Sequence, residues 1–178
     1  MLLSRVEQGM SQPSRPLRGL FAPGDAWLLT GDLFYRDEDG DFWLAGSADS
    51  LVTTAHGVVG GSAVGDALGI LDVIDMSVTY AVPGADGDDL AVTAVVLRSE
   101  GLLDAEGLSG ALSQLPPDRR PHVVHVVERI PTSTSHRPMA GAFAGDGRPA
   151  PGPRVYNLDP LSGEYRTANN SHALRNRR

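Results

Sequence analysis

The sequence predicts an α+β chain in which strands come as hairpins and neighbouring pairs, with two short helices among them. Three observations carry that expectation. Short runs rich in Val, Ile, Leu, Thr and aromatic residues recur along the chain, separated by Gly, Pro and Asp clusters of turn composition. Two stretches, 62–69 and 104–115, begin with a residue suited to N-capping and read as helices. Hydrophobic residues make up 41% of 178 positions, enough for the core of one domain, or of one small domain plus a fragment of another.

Residues 1–24 mix Ser, Pro, Gln and Arg and contain Pro13, Pro16 and Pro23, so they read as an irregular lead-in. Residues 27–35 and 41–44 are strand-like arms, and the link Asp37-Glu38-Asp39-Gly40 holds an Asp-Gly signal that permits positive φ, which makes a tight hairpin. The small residues Gly46-Ser47-Ala48-Asp49-Ser50 break that pattern. A second short hairpin is expected from Leu51-Val52-Thr53-Thr54 to Val58-Val59 across Ala55-His56-Gly57. Residues 62–69 follow as a helix capped by Ser62, in which Gly65 costs about 1 kcal/mol relative to alanine. Residues 76–82 and 90–97 are strands joined by a Pro-Gly-Asp loop. Asp104 caps the second helix, whose Leu108, Ala111, Leu112 and Leu115 share one face before Pro116-Pro117 ends it. Residues 123–127 give one more strand, and from Pro131 onward Pro, Gly, Ser and Thr dominate.

The run from Thr30 to Trp43, Thr-Gly-Asp-Leu-Phe-Tyr-Arg-Asp-Glu-Asp-Gly-Asp-Phe-Trp, resembles a segment of the adenylate-forming acyl-CoA synthetases, particularly the long-chain fatty acyl-CoA ligase and fatty-acid-transport-protein branch. The order of elements is similar to the end of such an enzyme: the last β-hairpin of the large domain, a hinge, and the small carboxy-terminal α+β lid domain. The pattern covers about residues 21–165, and residues 154–165 look like the terminal segment of the fatty-acid-transport branch. The resemblance implies a lead-in at 1–24, the terminal hairpin and hinge at 25–48, the lid domain at 49–145 and a loosely ordered tail at 146–178. For the intact family it implies ATP-dependent activation of fatty acids to acyl-CoA, with ATP, magnesium and CoA. For this chain alone it implies no cofactor.

The same resemblance assigns residues. Asp32, with Thr30 beside it, falls where the family's aspartate accepts hydrogen bonds from the ribose hydroxyls of ATP, a task suited to an ionised carboxylate. Taken by itself, Asp32 reads rather as a strand-end aspartate capping local amides; the flanking Thr30-Gly31 and the downstream Asp-Gly hairpin turn the reading to the ribose role as ancestry. The hinge motif, a Gly-Arg-x-Asp-Asp-like run, falls on residues 46–50, leaving Asp49 as the hinge aspartate and Gly46 or Ser47 where an arginine is expected. Asp49 also reads as a surface loop carboxylate. A Pro-Thr-x-Thr-Gly-Lys-like run falls on Pro131-Thr132-Ser133-Thr134-Ser135-His136-Arg137, which puts either His136 or Arg137 in place of the adenylation lysine. All 15 basic residues are arginine, so no lysine is present, and neither a forked guanidinium nor a mostly neutral imidazole replaces an ammonium conservatively. The phosphate loop and acyl pocket are expected in a large domain outside this sequence.

Composition bounds the rest. A net charge of −7 argues against nonspecific nucleic-acid binding, and the basic run Arg175, Arg177 and Arg178 reads as a solvated tail. Absence of cysteine removes thiolate chemistry and fits a reducing compartment. No apolar run approaches the roughly 18 to 20 residues that span a bilayer, so the expected location is cytoplasmic or peripheral to a membrane. Asp37, Asp39 and Asp41 imitate the start of a calcium loop, but glycine falls at the fourth position and Ala48 at the twelfth. His122 and His125, three apart in a strand, point to opposite faces and suit a shared metal badly. No metal site is expected. The expected function is a carboxy-terminal fragment or subunit of a fatty-acyl-CoA synthetase-like protein, inactive alone and completed by a large adenylation domain on a separate chain. The alternative is a noncatalytic interaction module derived from the lid.

Overall fold

The computed structural model describes residues 3–5, 16–98, 101–134, 136–143 and 145–168. Clustering of the backbone divides the chain into two compact units at the Ala48/Asp49 junction.

The first unit holds β1 (Leu3–Arg5), β2 (Leu17–Arg18), β3 (Ala26–Leu29), β4 (Asp32–Arg36) and β5 (Phe42–Ser47). Antiparallel pairing places β3 between β1 and β2. The expected lead-in therefore contributes two strands, while residues 6–15 lie outside the described residues. Asp25 anchors this sheet. Only 8% exposed, its carboxylate accepts hydrogen bonds from the Trp27 indole at 2.7 Å and from the amides of Leu20, Phe21 and Ala22 at 2.8–2.9 Å.

The arm expected over 27–35 is not one strand. Gly31 takes φ 77°, a left-handed conformation that favours glycine, so β3 stops at Leu29 and β4 begins afresh at Asp32, paired with β5. Asp37 closes the β4–β5 turn by accepting from the Asp41 amide at 2.9 Å and the Trp43 indole at 2.6 Å. Strand β5 continues through Gly46 and Ser47, where the sequence suggested a break. A bulge at Ala45 lets these two residues pair with Leu33 and Asp32.

In the second unit β6 (Leu51–Thr54) and β7 (Gly57–Gly60) form the expected hairpin, tied by Thr54 Oγ1 donating to the Gly57 carbonyl at 2.9 Å. Strand β7 runs directly into α1 (Gly61–Leu68), which makes Gly60 the N-cap, without a side-chain hydrogen bond. Ser62, expected as the cap, is instead the second helical residue and is exposed. Strands β8 (Ile74–Pro83), β9 (Asp89–Leu97), β10 (Val123–Val127), β11 (Val155–Leu158) and β12 (Tyr165–Thr167) make one sheet in the order β12-β11-β10-β9-β8. Of these neighbouring pairs only β9 and β10 run parallel, and the crossover that a parallel pair needs passes through α2 (Ala105–Leu112). Asp104 caps α2 by accepting from the Gly107 amide at 2.7 Å. The helix ends at Leu112 rather than 115 because Ser113 takes the cap position, though Leu115 still packs against the core.

Both faces of the sheet are covered. Leu68 of α1 and Leu108 and Leu112 of α2 pack with Val95 and Val124 on one face, joined by Val52 and Val59 of the β6–β7 hairpin. Across the sheet Val78, Tyr80, Val82, Val92, Ala94 and Val123 meet Ile130 and Phe143. The sequence marked 146–178 as a loose tail, but residues 155–158 and 165–167 are β11 and β12. Tyr156 and Tyr165 supply the reason: both are buried, and their hydroxyls donate to the carbonyls of Leu103 and Pro121 at 2.5 and 2.6 Å. Residues 169–178, including Arg175, Arg177 and Arg178, lie outside the described residues. Among the described residues no helix is long and apolar enough to cross a membrane.

Candidate functional site

Asp32 is the first residue of β4, half-buried and register-paired with Ser47. The turn before it is built by Thr30 and Gly31: Thr30 Oγ1 accepts the Asp32 amide at 3.1 Å, and the Gly31 carbonyl accepts the Ala48 amide at 2.8 Å. Left-handed Gly31 thus folds the Thr-Gly-Asp triplet into a compact corner at a strand end. Asp49 lies in the short 3-10 turn Ala48–Ser50 and is exposed.

His136 and Arg137 sit in a closed loop on the second unit. Thr132 and Pro138 form an isolated antiparallel bridge, the Ser133 amide donates to the Arg137 carbonyl at 2.8 Å, and the Arg137 amide donates to Ser133 Oγ at 3.2 Å. Within this loop His136 has φ 61°, the one non-glycine residue with positive φ among the described residues. Both side chains are exposed. The loop stands on a buried base, because Ile130 before it and Phe143 after it are each core residues. The Phe143 ring stacks on Tyr80 with centroids 5.2 Å apart, and Tyr80 Oη lies 2.9 Å from His125 Nε2. Burial, then the nearby Asp146 carboxylate, pushes the Tyr80 phenol up to about 12, so it stays protonated across the physiological range.

The two histidines singled out in the sequence serve different faces. His125 joins the Tyr80–Phe143 cluster, whereas Nδ1 of His122 accepts the Ala91 amide at 3.1 Å. Asp37 is committed to the Trp43 indole and turn amides, which hold its carboxyl below the ordinary range, the indole contributing most. No group of three or more metal-ligating side chains occurs among the described residues.

Comparison with solved structures finds known counterparts for the fold. ATP-bound MatB from Rhodopseudomonas palustris matches 69% of this chain with a TM-score of 0.59 at 22% identity, over 25% of its own length. o-Succinylbenzoate CoA synthetase from Bacillus subtilis, in complex with its acyl-adenylate intermediate, matches 68% with a TM-score of 0.59 at 20% identity, again over 25% of its length. The chain has the carboxy-terminal fold of the adenylate-forming ligases.

Sequence comparison points to the same ligases. A 4-coumarate–CoA ligase-like protein of Arabidopsis thaliana is 32% identical over 114 residues, covering 61% of this chain and 19% of that protein. A long-chain-fatty-acid–CoA ligase of Bacillus subtilis is 29% identical over 108 residues, covering 60% and 19%. Human long-chain fatty acid transport protein 3 is 28% identical over 134 residues, covering 74% and 20%. The chain spans about a fifth of the length of these relatives. No family model matches it. In this ligase fold, Thr30 and Asp32 share one corner of the first unit, and His136 and Arg137 share one loop of the second. The sequence missed the base of that loop: Tyr80, His125 and Phe143 come from three separated segments, and no local pattern joins them.

Proposed function

We propose that this chain supplies the terminal hairpin, hinge and lid of a fatty-acyl-CoA synthetase-like protein and depends on a large adenylation domain for catalysis. The observation that carries the reading is the β4–β5 hairpin. Tyr35, Phe42, Trp43 and Leu44 are 57%, 68%, 53% and 61% exposed, and their alternation places apolar side chains on both faces. Two strands with uncovered aromatic faces are marginal in water, and such patches mark surfaces that another body covers.

In this reading Asp32, held at the Gly31 corner beside Thr30, accepts the ribose hydroxyls of ATP, and Asp49 is the hinge residue. The left-handed backbone at His136 supports placing it at the glycine of the Gly-Lys motif, which leaves Arg137 at the lysine. A planar guanidinium cannot reproduce the compact contact of an ammonium between a carboxylate and a phosphate, so adenylation by this chain is expected to be severely impaired. The absence of cysteine fits a reducing, cytoplasmic setting.

The test is incubation of the purified chain with ATP, magnesium, CoA and fatty acids. The expected result is no AMP and no acyl-CoA; robust turnover overturns the proposal. Adding a separately expressed large domain then discriminates two outcomes. Restored turnover identifies a split enzyme. Binding without turnover favours a noncatalytic module, the reading supported by Gly46 and Ser47 standing where the family arginine is expected.

A further inference from the structure

The face of the five-stranded sheet turned away from the helices is an apolar layer with an imidazole set into it. Val78, Val82, Val92, Ala94, Val123 and Ile130 pack there. His125 stands on the same face between Val123 and Val127, register-paired with Ala94 of β9 and Val155 of β11, and is half-buried. Part of the cover is the segment 136–143, which carries His136 and Arg137 and ends in buried Phe143. A group that gains charge near neutral pH therefore lies directly beneath the attachment of that segment.

Phe143 is held by two rings. It stacks on Tyr80 with an interplanar angle of 22°, and it meets His125 edge to face, with centroids 6.2 Å apart and planes at 89°. The contact of Tyr80 Oη with His125 Nε2 at 2.9 Å ties those two rings to each other. While Nε2 is unprotonated the phenol donates to it, and the phenol keeps its own proton because its pKa is held up at about 12. A proton added at Nε2 makes the ring the donor and displaces the phenol hydrogen. It also puts a cation in a layer of valines, where the charge loses the water it has in the open.

We propose that His125 is a proton-operated seat for the segment 136–143: the neutral ring keeps Phe143 docked on Tyr80, and a proton on Nε2 releases Phe143 from the sheet. The titratable groups facing the ring are the Tyr80 phenol from β8 and the Asp146 carboxylate from the turn after Phe143, whereas β9 and β11 present Ala94 and Val155. Burial lowers the His125 pKa, and Asp146 opposes this. Asp146 is exposed, so solvent screens its attraction. A released ring meets water and returns toward the ordinary imidazole value of about 6.5. The docked ring thus binds fewer protons than the released one. Docking is complete above about 6.5 and is lost as pH falls through the lowered value. Withdrawal in acid of the segment bearing Arg137 is the consequence for ligase chemistry, and that consequence alone rests on the lid reading.

The experiment is NMR of the whole chain labelled with fluorophenylalanine, titrated from about pH 8 to about pH 5. Of the four phenylalanines Phe143 is the one in the second unit, and Phe143→Leu assigns its line. The Phe143 fluorine and the His125 ring resonances should move together at one midpoint below about 6.5. His125→Gln, which keeps a hydrogen-bond partner for Tyr80 without a titratable ring, should hold the Phe143 line at its neutral-pH position throughout. Asp146→Asn should lower the shared midpoint, since the carboxylate favours the charged ring, and its exposed position tests the seat even if the His125 variant fails to fold. A Phe143 line that stays still while His125 titrates overturns the proposal, as does a transition that persists in His125→Gln or ignores Asp146→Asn. Tyr165, in the core on the other face, should keep its ring resonances across the window; their loss at the same midpoint means unfolding of the unit and overturns the proposal too. No large domain is needed, so failure of the seat is distinguishable from failure of the lid reading.

Discussion

The hydroxyl of Tyr165 donates to the carbonyl of Pro121 at 2.6 Å, joining the last strand of the sheet to the segment that leads into β10. The Tyr165 amide also donates to Ser109 Oγ of α2 at 2.8 Å, so one residue ties β12 to strand and helix alike. Burial raises the phenol far above its ordinary value and keeps it a donor. Tyr165→Phe should cost about 1 kcal/mol for the lost hydrogen bond, and Tyr165→Ala about 3–5 kcal/mol for the cavity. Urea denaturation followed by far-UV circular dichroism measures both, and equal stability of the Ala variant would refute a docked β12.

His136 holds a left-handed backbone that costs a non-glycine residue about 1–2 kcal/mol. His136→Gly should relieve that strain, offset by about 0.5–1 kcal/mol of extra unfolded-state entropy, and so leave stability unchanged or slightly raised. His136→Val, branched at Cβ, should lower it by about 1 kcal/mol or more. In thermal melting the Gly variant should fall at or slightly above the natural chain and the Val variant below it; a Gly variant as destabilised as the Val variant would refute the left-handed loop.

Asp25 predicts a pH dependence of known sign. The Trp27 indole contributes most, burial opposes it next, and the amides of Phe21, Ala22 and Leu20 add to the indole, so the carboxyl is held down from 3.8 to about 2. A depressed carboxyl binds fewer protons folded than unfolded, so its contribution to stability is complete above about 3.8 and is lost as pH falls through about 2. In a Trp43→Phe background, where the Asp37–Trp43 bond is absent, Trp27 fluorescence should change across that window. The added Asp25→Ala substitution should abolish the transition.

Arg137 predicts a gain of function. With a large adenylation domain supplied in trans, Arg137→Lys should raise the rate of acyl-adenylate formation above that of the natural chain, and His136→Lys should not. Pyrophosphate release assays compare the two. A gain at His136 instead would reassign the lysine position.

Much of the fold is legible locally because the residues that form each element also end it. Asp37 to Gly40 closes the first hairpin, the turn at His56 the second, and Asp104 caps α2 with its own carboxylate. The Thr30–Asp32 corner is not legible as a corner, since the sequence reads 27–35 as one strand and the Gly31 carbonyl is bonded to Ala48, far along the chain. Ser62 was misread because the sequence does not show that β7 enters α1 without a loop, which moves the cap to Gly60.

The amino-acid sequence by itself determined the hairpins, both helices, the central strands and the ligase-like motifs, all of which depend on neighbours a few residues apart. Only the tertiary structure decided that Val155–Leu158 and Tyr165–Thr167 are strands, because short segments of mixed composition become β structure when the edge of β10 pairs with the first, the first pairs with the second, and the core receives their tyrosines. It also brought His56, His122 and Arg148 to one cavity and set Phe143 on Tyr80. Those groupings come from chain segments far apart in sequence, and packing, not local preference, selects them.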